Sequence, residues 1–149
     1  MKKSKQVKVP QIIGWKEVIG LPELGIPSLK VKVDTGARSS ALHANIIDVR
    51  DVHGVSMVEF DLLNPDEKPE SRHIIPVFGI LGVKNTSGIV QERYAIKTVM
   101  AMGGKQWPIH VTLADRTTMK YDMILGRMAL RNRNLLINPR RSYLAGDPS

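Results

Sequence analysis

Apolar and polar residues alternate in short runs along this chain, and glycine, proline, asparagine or aspartate breaks nearly every run before it can lengthen. The pattern is cleanest in "LKVKVD", where Leu29, Val31 and Val33 alternate with Lys30 and Lys32 until Asp34 ends the run. A period of two marks a half-buried strand, because successive side chains leave opposite faces of the backbone. Comparable segments cover Gln11–Ile19, "HANIIDV", "HGVSMVEFDLL", "SRHIIPVFGIL", "IVQERYAIKTVM" and the run through Trp107, Ile109, Val111 and Leu113. Turn-forming stretches such as "LPELGIPSL", "NPDEKPE", "GVKNTSG" and Gly103-Gly104 separate them. Met128, Ala129 and Leu130 open the one short helix, and "LLINP" is extended again. Crossover helices of about a dozen residues, which a βαβ architecture demands, have no room here. The expectation is an all-β fold, rolled into a closed β-barrel that leaves no strand edge exposed, with one short C-terminal helix.

A length of 149 residues suits one core. The expected organisation is a basic flexible arm over residues 1–9, carrying Lys2, Lys3, Lys5 and Lys8, followed by a single domain over residues 10–149. The chain has no cysteine, which excludes disulfides, thiol nucleophiles and thiolate metal sites. No apolar run is long enough for a signal peptide or a membrane span, so a cytoplasmic protein without membrane partners is expected. The formal charge of +8 favours an acidic partner but does not choose among nucleic acid, anionic lipid and acidic polypeptide.

Asp34 stands where a strand stops, followed by Thr35, Gly36 and Ala37, small residues that let backbone N–H groups approach the carboxylate. "VDTGA" at Val33–Ala37, paired with "MILGR" at Met123–Arg127, resembles the double signature of retropepsin-type aspartic proteases. More closely, "VDTGARSSALHA", "ERYAI", "VTLADR", "YDMILGR" and "SYL" resemble the family described as ATP-dependent zinc proteases. Its members look retropepsin-like, and some are encoded beside ligases that add glutamates to a ribosomal protein. The resemblance spans residues 12–144. It implies a retropepsin-like fold in which Asp34, Thr35 and Gly36 are catalytic.

Hydrolysis by carboxylates needs two of them sharing one proton, and the chain has one Asp-Thr-Gly. A homodimer with Asp34 on its two-fold axis would supply the pair. Asp115 and Asp122 are the alternatives within one chain. The resulting expectation is a homodimeric aspartic-type peptidase, a hydrolase that processes glutamate-rich polypeptide by general acid–base activation of water. Arg38, which follows the motif, and Lys84, Ser87 and Arg93, in a hairpin-like stretch between the two motifs, would bind the acidic substrate. Two other readings stay open: a non-catalytic basic domain bound to RNA or the ribosome, and a zinc metallopeptidase. For the latter, His43, His53, His73 and His110 are scattered and no His-Glu-x-x-His occurs. No cofactor and no metal ligand is therefore expected, and the absence of a Gly-x-x-x-x-Gly-Lys loop gives the ATP of the family description no binding motif.

Overall fold

A computed structural model of the chain describes residues 8–146, so most of the expected basic arm lies outside the described residues. Strands β1 (Gln11–Leu21) and β2 (Ile26–Val33) flank a single 3-10 turn at Pro22–Leu24. Then come β3 (Ser40–His43), β4 (Asn45–Val52), β5 (Val55–Leu63), β6 (Pro69–Pro76), β7 (Gly79–Lys84), β8 (Val90–Met102), β9 (Lys105–Ala114) and β10 (Met123–Leu125). Helix α1 (Arg127–Leu130) and strand β11 (Leu135–Ser142) complete the order. The protein is thus mostly β, with one short helix near its C-terminus.

Alternation builds the core. In β2, Val31 and Val33 are buried while Lys30 and Lys32 face solvent; in β9, Trp107, Ile109, Val111 and Leu113 point inward and Gln106, Pro108 and His110 outward. Pro108 lacks an N–H, yet it sits harmlessly beside Val99 of β8, because β3 joins the other edge of β9 only from Val111 onward. The turn between β8 and β9 is Gly103-Gly104, both at positive φ, the conformation a two-residue hairpin loop requires.

The expected closed barrel is not what forms. Eight strands make one sheet in the order β11-β1-β2-β10-β3-β9-β8-β7, while β4, β5 and β6 make a separate sheet of three. The ends of the large sheet, β11 and β7, do not pair with each other. β8 reaches β1 at one bridge, Gly20 with Ala101. β1 pairs with β11 over Gln11–Gly14 and at Lys16 and with β2 from Lys16 to Leu21, so β8 meets it only at the far end of the strand. The sequence run "SRHIIPVFGIL" also divides between β6 and β7, which belong to different sheets. Its break is at Pro76, where the backbone cannot donate to a ladder. The two sheets nonetheless share a core, in which Val58, Phe60 and Leu62 of β5 join Ile13, Val31, Ile96 and Leu113 of the large sheet in one cluster.

Candidate functional site

β2 delivers Asp34 to the site. Its backbone N–H donates to the carbonyl of Leu125 on β10 at 2.8 Å, which extends the parallel pairing of Val33 with Leu125 by one residue. The chain then turns: the Ala37 N–H donates to the Asp34 carbonyl at 3.1 Å, and the Gly36 N–H donates to Asp34 Oδ1 at 3.2 Å. A Cβ at position 36 would lie 3.3 Å from that carboxylate oxygen, so glycine is what lets the amide come close. Asp34 is half-buried, and Thr35 and Gly36 are exposed beside it.

The second motif holds this turn from below. Gly126 packs against the backbone of Ser39 so tightly that a Cβ would sit 2.5 Å from the Ser39 carbonyl carbon. Its N–H donates to the buried Ser40 hydroxyl at 3.0 Å. The next two amides, of Arg127 and Met128, donate to the carbonyls of Ala37 and Arg38 at 2.9 and 3.1 Å. The Arg127 guanidinium reaches the carbonyls of Thr35 and Gly36 at 3.3 and 3.4 Å. Trp107 anchors the helix behind it by donating from Nε1 to the Ala129 carbonyl at 2.8 Å. The two motifs, 92 residues apart in sequence at Thr35 and Arg127, therefore form one backbone-bonded unit.

Neither alternative acid is hydrogen-bonded to Asp34 among the described residues. The Asp115 carboxylate accepts from the hydroxyl and the N–H of Thr117, and these bonds hold it below the usual carboxylate value, with a smaller pull from His43. Asp122 is exposed, and its carbonyl accepts from the His43 N–H at 2.7 Å.

Of the expected substrate-binding residues, Lys84 and Ser87 stand on the exposed β7–β8 hairpin. Its tip is shaped by the Asn85 side chain, which accepts from the Ser87 and Ile89 amides at 2.9 and 3.0 Å. Arg38 is exposed on the loop that α1 grips through its carbonyl. Arg93, lower on the same hairpin, is half-buried, and burial lowers its pKa from the usual arginine value.

Arg116 escaped the sequence reading. It is 8% exposed, in the turn after β9, where its Nε donates to the Tyr121 carbonyl at 3.1 Å and its N–H to His43 Nδ1 at 2.8 Å. Burial lowers its pKa, neighbouring Arg93 pushes the same way, and Asp122 and Asp34 push back. Arg93, Asp34 and Asp122 therefore each act on the charge of Arg116. The signal available was "ADRT" itself: an arginine between turn residues directly after a buried strand.

His43 completes the support. Nδ1 accepts from Arg116, so Nε2 carries the hydrogen and donates to Glu67 at 2.8 Å. The other histidines are engaged separately: His73 with Ser71 and Phe60, His110 stacked on Phe78, and His53 at a positive-φ turn. Among the described residues no group of three or more histidine, aspartate or glutamate side chains is placed to hold a metal ion. The side chains present do not fit the zinc of the family description. No helix among the described residues is long and apolar enough to cross a membrane.

Residues 12–148 match the RimB-like family, described as retropepsin-like aspartic endopeptidase RimB. A crystal structure of a Legionella pneumophila protein of unknown function superposes with a TM-score of 0.75 at 25% identity, covering 91% of this chain and 98% of that one. Relatives named probable alpha-L-glutamate ligase occur in Parasynechococcus marenigrum, 41% identical over 138 residues, and in Shewanella halifaxensis, 37% identical over 140 residues. Each alignment covers 91% of this chain but 29% and 30% of the respective relative, so the chain spans under a third of these proteins. Their names correct the expected activity. Proteins that share this domain are named for joining glutamate, so the expectation of a homodimeric aspartic-type peptidase, a hydrolase cutting acidic polypeptide, is overturned.

Proposed function

Since the chain belongs to the RimB-like family, we propose that it is the glutamate-recognising domain of an α-L-glutamate ligation system. In this reading it holds glutamyl groups of the acceptor or product while ligation proceeds elsewhere. One observation carries the proposal: nearly the whole chain aligns with part of proteins named probable alpha-L-glutamate ligase, at 37–41% identity. A domain built into the same polypeptide as another activity works at high effective concentration on the same molecule.

The site chemistry agrees with that role. Asp34 Oδ1 takes the Gly36 amide, and the remaining lone pairs of the carboxylate can accept the amide N–H or ammonium of a bound glutamyl residue. Thr35 and Gly36 form the floor beside it, with their carbonyls turned back toward Arg127. Arg38, Lys84, Ser87 and Arg93 supply cations and a hydroxyl suited to carboxylates, and the net charge of +8 steers acidic polypeptide inward.

The test adds the purified chain to an α-L-glutamate ligase and its protein acceptor, with mass spectrometry counting glutamates per acceptor. The distribution changes when the chain is present, and Asp34→Asn removes the change. Identical distributions with and without the chain overturn the proposal.

A further inference from the structure

Arg116 is unusual for what it lacks. A guanidinium has five N–H donors, and among the described residues this one spends its Nε–H on the Tyr121 carbonyl and enters no ion pair. Burying a charged group without a paired opposite charge is costly, and natural structures avoid it unless the site has a use. Its terminal nitrogens are not sealed in, because the buried polar side-chain atom left without a partner among the described residues is Thr98 Oγ1.

Arg93 approaches from the neighbouring strand. Ala95 of β8 pairs with Thr112 of β9. Two residues back along β8 lies Arg93, while two and four residues forward along β9 and its turn lie Ala114 and Arg116. Arg93 thus lies level with Ala114, two residues before Arg116, and the two arginines come from neighbouring places on adjoining strands. Arg93 spends its Nε–H on Gln91 at 3.1 Å and likewise enters no ion pair among the described residues.

Resting on the glutamate-recognition reading, we propose that Arg93 and Arg116 form a paired-guanidinium site that holds the side-chain carboxylate of a glutamyl residue. Two like charges kept close without a bridging anion repel each other, and a carboxylate between them relieves that repulsion while accepting from both forks. Nearby Asp34 and Asp122 set the class of ligand. They disfavour a multiply charged anion such as phosphate, and they favour a singly charged carboxylate whose chain also offers N–H donors. The turn that carries Arg116 is fixed in advance, since the His43 ring accepts the Arg116 N–H and the His43 backbone N–H donates to the Asp122 carbonyl. A site held this way loses little conformational freedom on binding.

The experiment measures binding of peptides ending in four glutamates or four glutamines to the full chain by calorimetry. Wild type prefers the glutamate peptide by about tenfold or more, and inorganic phosphate does not displace it. Arg93→Gln and Arg116→Gln each weaken the glutamate peptide about tenfold, while Lys97→Gln, an exposed charge on β8, changes it less than about twofold. Circular dichroism checks the fold of each variant. If Arg116→Gln fails to fold, Arg93→Gln decides alone, and Arg116→Lys retains part of the preference. Unchanged affinity in Arg93→Gln overturns the site yet leaves the glutamate-recognition reading standing. Displacement by phosphate overturns the ligand class, and equal binding of the two peptides by wild type overturns both the site and the reading.

Discussion

Glu17 is completely buried, yet every strong demand it makes is met: it accepts from the amides of Gly14 at 2.6 Å, Leu144 at 2.9 Å and Ala145 at 3.0 Å. One carboxylate thereby ties the end of the chain to its first strand. Glu17→Gln replaces an acceptor oxygen by a donor facing another N–H, and should cost about 2 kcal/mol in urea denaturation. Gly126 is equally constrained, by contact rather than charge. Gly126→Ala drives a methyl into the Ser39 backbone and should lose about 3 kcal/mol, while displacing the Asp34 turn that α1 holds. The sequence displayed Asp34, Thr35 and Gly36 because a carboxylate breaks an apolar alternation visibly. It hid Arg116, Ser40 and His43, whose importance comes from partners more than 70 residues away in sequence.

At the scale of elements, the three-stranded sheet is braced by charge. Arg72 of β6 forms a two-pronged pair with Asp61 of β5, at 2.8 and 3.0 Å, and Arg50 of β4 donates to Glu59 of β5 at 2.8 Å. The Arg72 pairing holds the Asp61 pKa below its ordinary value of 3.8. A depressed carboxylate stabilises the folded state above its unfolded pKa, and that contribution disappears as pH falls through the folded value. Arg72→Met should therefore lower the melting temperature by several degrees near neutral pH, with the gap to wild type narrowing as the solution is acidified below 3.8. A constant gap across that range would exclude the pairing as the cause. The strands themselves were readable from period two, as β2 and β9 show. Which sheet each strand would join was not, because β6 and β7 read as one run and only the pairing partners of β5 and β8 separate them.

For the whole molecule, the excess of cations makes the proposed binding of acidic polypeptide sensitive to ionic strength. Affinity for a glutamate-rich peptide should fall about tenfold on raising salt from dilute buffer to about 0.5 M, followed by calorimetry. Closure of the large sheet was the least legible feature, since nothing in the alternation of β1 announces that β8 will meet it at a single bridge. The small sheet carries one more lesson. It is continuous in sequence, leaving the large sheet after Ala44 and returning before Phe78, whose N–H donates to Ala95 of β8 at 2.7 Å. On a connection diagram it is a detachable cassette, the first segment a protein engineer would delete to obtain a minimal scaffold. Yet its Phe60 fills the common interior and its Glu67 latches the histidine that holds the Arg116 amide, so a shortened version would inherit a hollow centre and a loosened turn at Arg116.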